Sequence, residues 1–334
     1  MWRNVRSRPE ADVRVVGLRV VMRLSFLWIA VALATVSVSV AAGADVQIVE
    51  RTNISAKIGA IGGLTRSVRI NDVSSDGAVV VGTFRKGKPD TRWRIFRYTK
   101  SGGTEDLGPV ATQVSSLCVS ADGKVIWGSS QDANGERRLF RDTSRGFEDI
   151  GTLGKKGITP YATSHDGALV VGSFWHSTTI ENRPIYHAFS YGSGRNFEDL
   201  GAMGAESAFA RGIAADGSSI VGNFHLANGQ DHAFRYSRDT GVEGLGAIGG
   251  TAAFATGVSN SGVVVGIFFG DSSFLEYTFY NHVFLFTKAD GVTRLGAMGG
   301  RSAGTVRISS DGRSLAGSYR TSSDESFAYV AAIR

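Results

Sequence analysis

Three histidines stand at one place of a recurring motif, in HAF at His187 and His232 and in HVF at His282. If the repeats close into a ring, imidazoles at matching positions could surround a divalent metal ion. An imidazole repeated beside a core phenylalanine more often serves as a hydrogen-bonding member of its own repeat. No metal and no cofactor are therefore expected at this column. A second column holds Asp76, Asp122, Asp166, Asp216 and Asp311, each followed by glycine. Aspartate at such a turn bonds its own backbone, and Ser261 replaces it in the fifth copy without other disruption, so these carboxylates read as structural. The segment DANGE from Asp132 echoes a calcium loop but lacks its length and terminal glutamate. No catalytic residue is assigned.

Binding chemistry is better placed in two long insertions, SFWHSTTIENRPIY from Ser173 and IFFGDSSFLEYTFYN from Ile267. Both fall between the same two motifs of their repeats, so both emerge on one face. They carry Trp175, His176 and Tyr186 in one and Phe269, Phe274, Tyr277, Phe279 and Tyr280 in the other. Exposed aromatic side chains give contact area at low entropic cost. The candidate ligand-binding set is Trp175, His176, Tyr186, Phe269, Phe274, Tyr277 and Tyr280. Phe174 and Phe268 belong instead to a column with Phe84, Phe224 and Tyr319 and read as core. In the first repeat RKGKPDTRWR places Arg85, Lys86, Lys88 and Arg92 around Trp93, a basic rim or simply solvated charge.

The elements that must position these residues follow from the repeat. SSDGAVVVG from Ser74 returns as SADGKVIWG, SHDGALVVG, AADGSSIVG, SNSGVVVG and SSDGRSLAG, with the turn glycine at Gly77, Gly123, Gly167, Gly217, Gly262 and Gly312. The aromatic triplet and a Leu/Ile-Gly-x-x-Gly run keep step with it. A period of 40 to 50 residues with turn signals belongs to propeller blades or solenoids. Asp-Gly between alternating apolar runs predicts a tight hairpin with both central residues at positive φ. Two further short strands complete each repeat, which gives four-stranded antiparallel blades. Such sheets cannot bury both faces alone and must stack on one another. The expected fold is all-β, a six-bladed β-propeller closed by an N-terminal strand around Val46 to Ile58. That strand would pair with Ser326 to Ile333, because the last repeat reaches Arg334 before any Leu-Gly strand and the first Leu-Gly run, KIGAIGG, precedes everything else.

The HAF triplet, the Leu-Gly-x-x-Gly-Gly run and the DG-x-V-V-G strand together resemble the extracellular HAF-repeat family of bacterial exported proteins, over nearly all of residues 57 to 330. HAF is intact only at His187 and His232. The resemblance implies export and a propeller-like repeat, and it transfers no catalytic residue. The DG turn also resembles the hairpin of TolB-like periplasmic propellers, which implies fold only.

Composition agrees with a globular exported domain. Hydrophobic residues make up 42% and charged residues 20%, with 44 glycines against 5 prolines, a balance that suits many short strands and turns. The formal charge of +6 invites nucleic acid, but residues 1 to 44 hold six arginines against Glu10 and Asp12. The remainder has 30 basic and 28 acidic residues, a net of +2, and lacks a stripe for phosphates. LSFLWIAVALATVSVSVAAGA after Arg23 has the positive flank, fading apolar run and small-residue ending of a secretory signal cut after Ala44, with Met22 an alternative start. The competing reading is an uncleaved membrane anchor over Leu24 to Ala42. Residues 45–334 are read as one domain, periplasmic or extracellular, with no integral membrane part after cleavage. The single cysteine, Cys118, excludes an internal disulfide framework and reads as a small core residue.

The function expected is non-catalytic binding of a carbohydrate or a surface protein. The alternatives are a polysaccharide hydrolase or lyase on the same scaffold, with Glu181, Asp231, Asp271 and Glu276 as its only candidate acids, and a structural component of the envelope. N-terminal sequencing of the exported protein should begin at Asp45. A mature chain that retains residues 24 to 42 would overturn the signal in favour of the anchor.

Overall fold

The computed structural model describes residues 67–333 apart from 75–77, 89–91, 110–112, 180–181, 193, 271–280 and 323–325. The signal at 1–44, the strand expected around 46–58 and the first Asp76-Gly77 turn lie outside the described residues.

The described residues form antiparallel strands arranged as a β-propeller. One repeat illustrates the unit: Ser207–Ile213, Ser219–His225, Asp231–Ser237 and Gly241–Gly246 pair in sequence order as a meander. The apolar run of the second strand is buried on both faces, as Val79–Arg85 shows with Val80 and Val81 both fully covered. Alternate residues of that strand face different neighbours. Val170 packs with Cys118, Trp127 and Leu139 of the preceding repeat, whereas Val171 packs with Ala208, Ala210 and Ile220 of the following one. The core is therefore a series of layers between successive repeats. The first strands, such as Lys156–Thr163, Ser207–Ile213 and Ala252–Val258, lie side by side. Cys118 sits in one layer at 1% exposure, and burial pushes its thiol pKa well up, with a further push from Asp72. It is a packing residue, as expected.

Six separate four-stranded blades are met only in part. Among the described residues three sheets have four strands, one has eight and one has three. The eight-stranded sheet is the fourth and fifth repeats joined where Asp231 and Ala252 meet in a parallel bridge, because the short linker starts one meander beside the third strand of the other. The three-stranded sheet is the last repeat, which ends on Ser326–Ala332.

The turns differ from expectation in an instructive way. In Ser-x-Asp-Gly only the glycine has positive φ: Gly123, Gly167, Gly217 and Gly312 lie at 69 to 75°. The glycine N–H donates to the carbonyl three residues back, of serine in three copies and of Ala214 in the fourth repeat. The aspartate accepts the N–H two residues on, at Lys124, Ala168, Ser218 and Arg313, and in three copies also accepts the serine hydroxyl. These bonds hold the Asp166 and Asp311 carboxyls below the usual range. Paired positive φ occurs instead in the Leu-Gly-x-x-Gly run that links repeats, at Leu153-Gly154, Met203-Gly204, Ile248-Gly249 and Met298-Gly299. A bulky residue in this region costs about 1 to 2 kcal/mol. Ile248 and Met298 are 6% and 4% exposed in inter-repeat layers, and burial of such a side chain returns about 1.5 to 3 kcal/mol. Burial wins, so the strained turn persists.

The Ser-x-Asp-Gly turns also join repeats. Ala121 N–H donates to the His165 carbonyl at 3.0 Å, His165 N–H to Ala215 at 2.9 Å and Asn260 N–H to Ser310 at 2.9 Å. Between the fourth and fifth repeats the Asn260 side chain accepts the Asp216 N–H at 3.2 Å instead. Each turn nests on the last: a Cβ on Gly167 would strike the Val125 side chain, and one on Gly217 the Leu169 side chain. Gly167→Ala should lower stability by about 1 to 3 kcal/mol through both strain and clash. Gly229→Ala, at a positive φ with open space around it, should cost less. Thermal unfolding of the two variants tests this, and equal losses would show that nesting does not matter. Both folded carboxylates titrate lower than unfolded aspartate, so their contribution is present above pH of about 4 and is lost as pH falls through the lower folded values.

Candidate functional site

The insertion of the third repeat is an extended hairpin rather than a loop. Leu169–Thr178 and Pro184–Gly192 pair out to Thr178 and Pro184, with a bulge between Trp175 and Ser177. The hairpin turn is closed by Thr179 N–H to the Arg183 carbonyl at 2.8 Å, with Asn182 at φ 61°.

Strand pairing sorts the predicted residues onto two faces. Phe174 lies opposite His187, and Trp175 lies opposite Tyr186. Tyr186 turns toward the fourth repeat and packs on Phe209 at 5.3 Å. Trp175 is 38% exposed, its indole N–H donates to the Ser177 carbonyl at 2.6 Å, and the Lys156 ammonium sits 5.5 Å from its ring. On the opposite face the His176 ring stacks on His187 at 3.7 Å and 6°. His187 Nδ1 is 2.9 Å from the Asp199 carboxylate, which also accepts the Gly201 N–H at 2.8 Å. Lys155 lies over both Phe174 and Phe197, at 5.0 and 5.4 Å.

A concavity of about 440 Å³ opens here, lined by Gly154, Lys155, Lys156, Phe174, Trp175, His176, Ser177 and Thr178. Its size suits a small ligand or a residue or two of a polymer. The strained Leu153-Gly154 turn delivers the two lysines and the bulged hairpin delivers the aromatic and imidazole groups. Among the described residues lining it there is no carboxylate.

Of the other predicted residues, Phe269 is half-buried and packs edge-on against Phe254 at 5.5 Å. Phe274, Tyr277 and Tyr280 lie outside the described residues. Phe174 and Phe268 are core, as expected. His232 and His282 each lean on the phenylalanine of their own repeat, Phe224 and Phe268, and do not gather with His187 among the described residues. Trp93 of the basic rim is flanked by Arg85 at 4.4 Å and Arg69 at 4.9 Å. Asp132 accepts the Asn134 and Glu136 N–H groups and is a turn residue. Of the four acids held open for catalysis, Glu181, Asp271 and Glu276 lie outside the described residues, and Asp231 accepts a hydrogen bond from Asn223 at 2.8 Å.

Sequence reasoning missed Lys155, Lys156 and Asp199. The lysines depart from their column, where the other linkers read AMGAES, AIGGTA and AMGGRS. Asp199 belongs to a Glu-Asp-Leu/Ile-Gly column whose aspartates pair with the residue two before the core phenylalanine: Arg94 with Asp106, Arg138 with Asp149, His187 with Asp199. Arg211 was missed as well. Its guanidinium lies over Tyr161, Phe209 and Phe254 from three successive repeats, and burial lowers its pKa.

No family model and no curated protein sequence matches the chain. Solved structures do. The chain is similar to a prolyl endopeptidase, from a mechanistic analysis of two such enzymes, with TM-score 0.56 and 13% identity over 84% of this chain and 44% of that one. For TolB from Acinetobacter baumannii the values are 0.48 and 14%, over 68% of this chain and 53% of that one. For the β-propeller domain of the Trilobed protease from Pyrococcus furiosus they are 0.44 and 12%, over 79% and 93%. The chain spans about half the length, or less, of the first two. At these identities the likeness shows the fold alone. Among the described residues no helix is long and apolar enough to cross a membrane.

The lysine over Trp175 gives a direct check. Trp175→Ala should leave the far-ultraviolet circular dichroism unchanged, because the ring is partly exposed and packs on no inter-repeat layer. A loss of folded signal would make it a core residue.

Proposed function

We propose that this chain is an exported six-bladed β-propeller of the HAF-repeat kind that binds an acidic carbohydrate at the concavity of its third repeat and does not transform it. The observation that carries the reading is the pairing of an exposed indole with two ammonium groups in one hollow: Trp175 offers a stacking face, and Lys155 and Lys156 offer charge for a carboxylate or sulfate. A hydrolase would need two carboxylates converging on the hollow, and among the described residues that line it there is none. A surface protein remains an outcome of the test.

Ring closure is part of the proposal. The face of the first repeat turned from the second carries Val80, Phe84, Phe96 and Tyr98, all buried. Asp72 of the first repeat, its pKa raised by burial, feels the opposing charge of Arg307 in the last. Both features support a first repeat adjoining the last, with residues 46 to 58 pairing on Ser326–Ala332. Deleting residues 46 to 58 should expose the amides of 326–332 to hydrogen exchange; unchanged protection would refute the closing strand.

The full chain on an array of acidic glycans, neutral glycans and surface proteins tests the binding reading. Salt-sensitive binding to acidic glycans is expected, reduced several-fold in Trp175→Ala and in Lys155→Ala/Lys156→Ala. Binding confined to surface proteins, binding untouched by these substitutions, or depolymerisation of a bound glycan would each overturn it.

A further inference from the structure

We infer that His176, His187 and Asp199 form a surface site for a divalent transition-metal ion such as Zn²⁺, beside the saccharide hollow whose lining shares His176. One nitrogen from each imidazole and one carboxylate oxygen lie within 4.8 Å of one another. His187 Nδ1 and Asp199 Oδ1 are 2.9 Å apart as a hydrogen-bonded pair, and would open by about half an ångström to stand as adjacent ligands of a tetrahedral ion.

The first repeat shows how the fold assembles this trio. There the same three positions hold Lys86, Arg94 and Asp106, with Lys86 Nζ 2.9 Å and Arg94 Nε 2.8 Å from one carboxylate oxygen. Two fixed cations neutralise the aspartate and leave no donor for a metal, since neither lysine ammonium nor guanidinium has a lone pair to give. The third repeat puts imidazoles at both cation positions. An imidazole can stay neutral and donate a lone pair, so the same convergence becomes two nitrogens and an oxygen. Alternation along the strand places His176 on the face of Phe174 and His187, with Trp175 on the other, and the bulge falls at His176 itself, which has no partner in the register between Trp175 and Ser177.

Ligand chemistry selects the ion. Ca²⁺ and Mg²⁺ need several oxygens, whereas two nitrogens with one carboxylate suit Zn²⁺ and its neighbours. Asp199 is oriented by the Gly201 N–H at 2.8 Å, which fixes one ligand in advance. Coordination through His187 Nδ1 would replace its hydrogen bond to Asp199, with the proton of the neutral ring carried on Nε2. The stacked rings must tilt apart to aim at one ion, and His176, the exposed partner, supplies that movement.

Calorimetric titration of the chelator-treated full chain with Zn²⁺, repeated with Co²⁺ and its visible absorption, tests the site. One equivalent is expected, with a rise in the unfolding midpoint. His176→Ala, at an exposed position, should weaken binding at least tenfold while circular dichroism stays unchanged, and Asp199→Asn should do likewise. His232→Ala, the matching column position in the fourth repeat, should bind as the unaltered protein does. No saturable uptake, uptake that survives His176→Ala, or equal loss in His232→Ala would overturn the assignment.

Discussion

The Ser-x-Asp-Gly turn is the constraint on which the rest of the molecule depends. It is a turn within one repeat and a latch to the next, because its second residue trades backbone hydrogen bonds with the corresponding turn on either side. The glycine serves both tasks. Its positive φ closes the turn, and its lack of a Cβ lets the preceding repeat's side chain lie against it. Trp127 strengthens the junction by donating its indole N–H to the Gly167 carbonyl from the preceding repeat, at 2.9 Å and fully buried. Since the latch is made of backbone atoms, neighbouring side chains can drift so long as the glycine and its local carboxylate or hydroxyl remain.

That latch sits at one end of every sheet, and antiparallel pairing puts the second hairpin and the inter-repeat linker at the other. The latched end is held by bonds that repeat; the opposite end is free to lengthen. Leu169–Thr178 grows to ten residues there without disturbing Val170 and Val171, which remain fully buried in their layers. The linker from the second repeat reaches the same end, and so Lys155 and Lys156 meet Trp175 and His176.

Much of the architecture was legible because burial and turn chemistry repeat together. The Val-Val-Val-Gly strand, the phenylalanine column and the structural aspartates follow directly from their period. The type of turn did not. Asp-Gly reads as the paired positive-φ hairpin from local preference, yet that conformation went to Leu153, Met203, Ile248 and Met298, residues whose preference opposes it. Only inter-repeat burial explains their choice, and burial is not visible in a turn's own residues. The site was legible in type and not in face: aromatic enrichment located Trp175, but which face it takes is set by its pairing opposite Tyr186. Asp199 was hidden because a column of aspartates reads as structure until its partner changes from arginine to histidine.

The strained linkers carry a consequence for how the chain assembles. Met203 and Ile248 repay their backbone cost only when the following repeat supplies its half of the layer. A repeat cut from its successor keeps the strain and loses the repayment. Nearest-neighbour coupling of that kind makes order spread from unit to unit and penalises every boundary between folded and unfolded repeats. The protein should therefore populate few partly folded forms, and its repeats gain and lose their structure together.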